Sequence, residues 1–82
     1  MGNDWMPVAG DIITPIHPLV FVGRRRMDLQ PGMLLTVLYS EEPIHGTKSH
    51  KLDFYHPDFG KRSIIVDFSY WTIVNRPNKE TA

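Results

Sequence analysis

Two stretches of this chain alternate apolar and polar residues with period two, the repeat of a strand with one buried face. In "HKLDFYH", 50–56, Leu52 and Phe54 point one way and Lys51, Asp53 and Tyr55 the other. In "KRSIIVDFSYWTIVN", 61–75, Ile64, Val66 and Phe68 share a face opposite Ile65 and Asp67. The pattern breaks near Ser69, which predicts a short turn and a last strand, "WTIV". A third stretch, "MLLTVLYSEE", 33–42, puts Met33, Leu35, Val37 and Tyr39 on one face and Leu34, Thr36, Leu38 and Ser40 on the other. Both faces are largely apolar at its start, as expected of a strand in a barrel or between layers. "AGDIIT", 9–14, reads as a Gly-Asp turn opening the first strand, and "LVFVGR", 19–24, as a short β run. No segment keeps an apolar period of 3.6.

Turn residues separate these runs. Pro15 and Pro18 confine "PIHP" to an edge or a bend, because proline cannot donate to a ladder. Pro31-Gly32 and "PDFG", 57–60, are turn signals, and "PIHGTKS", 43–49, is a loop. Seven prolines and six glycines in 82 residues disfavour long helices. Five or six short strands, with a turn signal every 8 to 12 residues or roughly so, predict a small antiparallel barrel or sandwich in one domain. Residues 1–82 form that single domain, with the barrel at about 8–75, an N-terminal arm 1–7 in which Trp5 and Met6 are candidates to fold back, and a polar tail 76–82. Trp71, Phe68, Phe54 and Phe21 are the economical choice of aromatic core.

Taken together, the layout resembles a small SH3-like barrel. The matching features are Gly10-Asp11 before the first strand, a long first loop holding Arg24 to Arg26, and Pro31-Gly32 launching the central strand. The hairpin at "HPDFGK" and the link near "SYW" complete it. The resemblance implies an all-β fold of five to six antiparallel strands, and the compact look is similar to small accessory proteins of bacteria and their phages. Barrels of the KOW type carry a second glycine three positions after the first. Leu35 stands there in this chain, although Val37 fits, so the RNA or ribosome link of that type is not carried over.

Charge and chemistry refine this picture. Nine Lys and Arg balance nine Asp and Glu, which lowers the expectation of general polyanion binding but leaves room for a local patch. With no cysteine, a disulfide framework, a thiolate metal site and a cysteine nucleophile are excluded, and a reducing, cytoplasmic setting is favoured. The opening "MGNDWMPVAG" lacks a basic flank before an apolar core, so no secretory signal is expected, and the apolar runs are far too short to span a membrane.

The run Arg24, Arg25, Arg26 is the most distinctive local feature. Its bland reading is a solvated loop whose charges pair with Asp28, Glu41, Glu42, Asp53 or Asp58. Its functional reading is a grip on phosphate or on a protein, with Tyr39, Tyr55, Phe59 and Tyr70 as exposed rings for stacking or for an interface. His50 and His56 share a strand face and could approach His45 or Asp58, but no dense ligand spacing exists, and no metal or cofactor is expected. Ser40, Ser49, Ser63 and Ser69 lack nucleophile-elbow glycines, and Glu41 and Glu42 face opposite ways, so no catalytic set is expected. The sequence therefore reads as a non-catalytic module that binds a protein partner or a second copy of itself. The alternative is a nucleic-acid-binding barrel that uses the arginine loop.

Overall fold

The computed structural model describes residues 6–43 and 46–76, Phe68 by its backbone alone. Trp5 and His45 lie outside the described residues, as does the tail beyond Arg76. The fold is all-β and antiparallel. Its strands are β1 (Ile12–Pro15), β2 (Leu19–Phe21), β3 (Met27–Leu29), β4 (Leu35–Ser40), β5 (Ser49–His56), β6 (Gly60–Asp67) and β7 (Trp71–Asn75). A 3₁₀ turn, Phe68–Tyr70, joins β6 to β7. Five strands make one sheet in the order β6-β5-β4-β1-β7, and β2 and β3 form a separate hairpin. The small antiparallel all-β fold expected from the alternation and turns is thus present, with β3 as an element that the sequence pattern leaves inside the first loop. The ladder ends at β6 and β7.

Alternation explains what is buried. Leu52 and Phe54 of β5, Leu35 and Val37 of β4, Ile13 of β1, Val66 of β6 and Trp71 of β7 form the core. Leu19, Met27 and Leu29 of the hairpin join the same cluster, so the hairpin lies over the sheet and covers it. Phe21, Phe59 and Tyr70 pack against this core half-buried. The expectation that both faces of β4 are covered is not met: Leu34 just before it and Leu38 within it are exposed, because no element among the described residues covers the outer face of the sheet there. Tyr39 also leaves the face it was expected to share with Leu35 and Val37. Val37 pairs with Phe54 and Tyr39 with Asp53, so Leu38 is an extra residue and the strand bulges there. One inserted residue moves everything after it to the opposite face, and Tyr39 turns outward.

The turns follow their chemistry. Gly32 has φ of 98°, the positive value a type II turn needs there, and Met33 N–H closes the turn on the Gln30 carbonyl at 3.1 Å. Thr14 Oγ1 accepts from Gly32 N–H at 2.9 Å and ties this turn to β1. Pro57 leads the β5–β6 hairpin, which is closed by Phe59 N–H on the His56 carbonyl at 3.1 Å, with Gly60 at φ 73°. Pro15 ends β1 and pairs with Trp71 alone, not with β4, so its missing donor costs no ladder bond on that side. Asp67 caps the 3₁₀ turn. Its Oδ1 accepts from the Ser69 hydroxyl at 2.7 Å and from Ser69 N–H at 2.8 Å, which holds the carboxyl below its usual range.

Arg76, expected as the start of a loose tail, is fastened. Asp11 is fully buried, and its Oδ2 accepts from Val8 N–H at 2.8 Å, from Arg76 Nη2 at 2.9 Å and from Arg76 Nε at 3.1 Å. Arg76 Nη2 also donates to the Met6 carbonyl at 2.6 Å. The two ends of the domain are joined by a buried ion pair.

Candidate functional site

The β2–β3 hairpin decides where the three arginines go. Phe21 and Met27 are its last paired residues, which leaves 22–26 as an exposed tip. Arg26 lies two residues before Asp28, on the same side of an extended chain, and its Nε donates to Asp28 Oδ1 at 3.0 Å. Arg24 and Arg25 make no ion pair among the described residues and instead line a groove of about 500 Å³ between the hairpin and β6.

The opposite wall is residues 61–65, five in a row. Successive strand residues point to opposite faces, so a groove touched by five consecutive ones runs along the edge of the strand, not across one face. Phe21, Met27 and Ile64 supply apolar surface at its base, and Val22 and Ile65 stand at its rim, 83% and 71% exposed. Four cations border it, Arg24, Arg25, Lys61 and Arg62, and none of its lining residues is acidic. Arg62 is held in place: its Nε donates to the Phe59 carbonyl at 3.3 Å and its guanidinium lies 5.8 Å from the centre of the Phe59 ring. In a chain of zero net charge, this gathers four cations along one slot whose lining holds no carboxylate, with Asp53 beyond Lys61 and Arg62 on the outer side.

None of the remaining expected residues lines this groove, although Tyr55 and Phe59 neighbour its Lys61 and Arg62. Tyr39 and Tyr55 are exposed on the outer face of the sheet, where Tyr55 pairs with Thr36 and Lys61 in the ladder and Tyr39 with Asp53. The Tyr39 hydroxyl donates to Glu41 Oε2 at 3.0 Å, and this bond to a carboxylate raises the phenol above its usual pKa. Tyr70 stacks edge-on against His17, ring centres 4.9 Å apart. Phe59 lies against His56 at 5.2 Å and supports Arg62. The expected cluster of arginines and stacking rings is therefore split among three places.

His50 and His56 share a face but stand at opposite ends of β5, about 20 Å apart at the rise of a strand. Among the described residues no three His, Cys, Asp or Glu come together as a metal would require. His50 is 2% exposed, and burial lowers its pKa below 6.5. Its Nδ1 lies 3.2 Å from the Glu41 carbonyl and 3.4 Å from Ser40 Oγ. A carbonyl accepts and cannot donate, so Nδ1 carries the proton and cannot also take one from Ser40. The contact is structural.

Nothing in the sequence sets Lys61 and Arg62 apart from the chain's other lysines and arginines. Their signal is positional: they open the strand that becomes a sheet edge. Set against known proteins, the chain matches no family model, no curated protein and no solved structure. No helix among the described residues is long and apolar enough to cross a membrane.

Proposed function

We propose that this protein is a small non-catalytic binding module whose contact surface is the groove between the β2–β3 hairpin and β6, and that its ligand is a negatively charged segment of a protein. One observation supports this above the others. Arg24, Arg25, Lys61 and Arg62 surround an apolar floor without an acidic neighbour in the lining. Clustered cations that make no ion pair among the described residues attract an anionic partner, and exposed Val22 and Ile65 add apolar contact area. The wider reading is a cytoplasmic accessory protein of a bacterium or phage acting on a larger component.

A nucleic acid is the second anion that such a groove would take. Base stacking needs open aromatic faces in the slot; Phe21 and the Phe59 beneath Arg62 are half-buried, Tyr55 stands beside Lys61 on the outer face, and Tyr39 and Tyr70 lie elsewhere, which favours the protein ligand. The test measures fluorescence anisotropy of a labelled acidic peptide and of a labelled oligothymidylate, at low salt and at about 0.15 M. The peptide is expected to bind, and the double variant Arg24→Ala, Arg25→Ala to bind it about tenfold more weakly, since bonds to charged groups are worth at least that. Arg26→Ala, whose side chain is engaged with Asp28, is expected to bind as the parent does. Oligothymidylate binding that is lost in the double variant, with no peptide binding, would replace this reading by the nucleic-acid one.

A further inference from the structure

Resting on the reading of the groove as an anion site, we infer that its occupant is an extended acidic peptide that adds to the sheet as a new strand along the free edge of β6. The first ground is the edge itself. β6 pairs with β5 through eight consecutive residue pairs, Ser49 with Asp67 through His56 with Gly60, without a register shift. β6 ends the sheet, and its other side carries no strand among the described residues. A long, unbulged edge offers a row of backbone donors and acceptors to an incoming strand. β7, the other end strand, is five residues long and pairs with a register shift, so it offers a shorter and less regular template.

The second ground is shape. The groove lies against residues 61–65 and is bounded on its far side by the hairpin tip. Five residues of strand measure about 17 Å, so the slot takes a short extended segment lengthwise, with the hairpin as its outer wall.

The third ground is charge. Proteins often protect an edge with charged side chains, and Lys61 and Arg62 do so here. Their protection is selective. A second copy of β6 laid on this edge would bring a duplicate of all four cations into one interface, whereas an acidic strand would neutralise them. Alternating side chains complete the match: with period two, acidic residues on the hairpin side meet Arg24, Arg25 and Arg62 while apolar ones on the opposite face meet Ile65.

The experiment uses the full chain and an acetylated, amidated heptapeptide of alternating glutamate and valine. Two further peptides carry backbone N-methyl groups on the glutamates alone or on the valines alone, which blocks one hydrogen-bonding edge at a time. One methylated peptide is expected to lose at least tenfold in affinity while the other stays near the parent, and amides within residues 61–65 are expected to gain protection from exchange on binding. Equal binding of all three peptides, with loss of binding in Arg24→Ala, Arg25→Ala, overturns strand addition and leaves the anionic groove standing. Failure of the parent peptide to bind at low salt overturns both. A concentration-dependent dimer in sedimentation, dissolved by Lys61→Glu, would put a second copy on the edge and overturn the peptide as occupant.

Discussion

His50 presents a polar ring to the inside of the sheet, beside Leu52 and Phe54, and takes its place in the core as a neutral imidazole. Burial lowers its pKa in the folded chain below the 6.5 of an unfolded one, against smaller opposing effects of the Glu41 carbonyl and Asp67. As pH falls through 6.5, the unfolded chain therefore takes up a proton that the folded chain refuses. Stability is full above that value and declines below it until the folded pKa is reached, at no more than about 1.4 kcal/mol per pH unit. Urea unfolding midpoints measured between pH 7.5 and 5 are expected to fall, and His50→Gln, which keeps a donor for Glu41, is expected to flatten that decline. A second residue-scale expectation concerns Asp11. Its carboxylate is wholly buried while Arg76 is 19% exposed, so Arg76→Met strands a charge in the interior. Loss of about 3 kcal/mol is expected by chemical denaturation, with a smaller loss when Asp11→Asn accompanies it, because the buried charge is then gone.

At the scale of elements, the hairpins and turns carry the clearest consequences. Gly60 sits at φ 73° with nothing within 4 Å of where a Cβ would go, so Gly60→Ala costs backbone strain and no clash. About 1–2 kcal/mol is expected, read as a shift of the thermal midpoint with no change in the binding of acidic peptide. The strand β5 is legible because Leu52 and Phe54 alternate with Lys51, Asp53 and Tyr55, and both apolar residues are found buried. Phe54→Ala is expected to cost about 3–5 kcal/mol, enough to threaten folding of a domain this small. β4 was less legible at its end. The bulge at Leu38 depends on pairing with β5, which alternation within β4 does not encode, and so alternation alone places Tyr39 on the wrong face. β3 was hidden for a different reason: three residues, Met27–Leu29, beside a run of arginines, give no window long enough for a period.

Over the whole molecule, zero net charge conceals an uneven distribution. Arg24 and Arg25 come together with Lys61 and Arg62 only because the hairpin folds back over the sheet toward β6. Arg26, their neighbour in sequence, is spent on Asp28, an exposed pair worth about 0–1 kcal/mol. Lys61→Ala is expected to leave stability within about 0.5 kcal/mol, as an exposed substitution does, while weakening the binding of the acidic peptide and reducing its dependence on salt. Comparison of denaturation midpoints with anisotropy titrations at two salt concentrations separates the two effects. The candidate site is half visible in the sequence: the arginine run is conspicuous, but none of Tyr39, Tyr55, Phe59 and Tyr70 lines the groove, although Phe59 and Tyr55 neighbour Arg62 and Lys61, and its second wall becomes evident only from the sheet order.

The longer strands, the turns and the buried apolar residues Leu52, Phe54 and Val66 are determined by the sequence itself, because alternation with period two and the conformational needs of glycine and proline act over a few residues. Which arginines are free, which strand is an edge, where Tyr39 points and why Arg76 is buried against Asp11 were decided by the tertiary structure alone. Each depends on residues distant in the chain meeting through register and packing, and no local pattern carries that information.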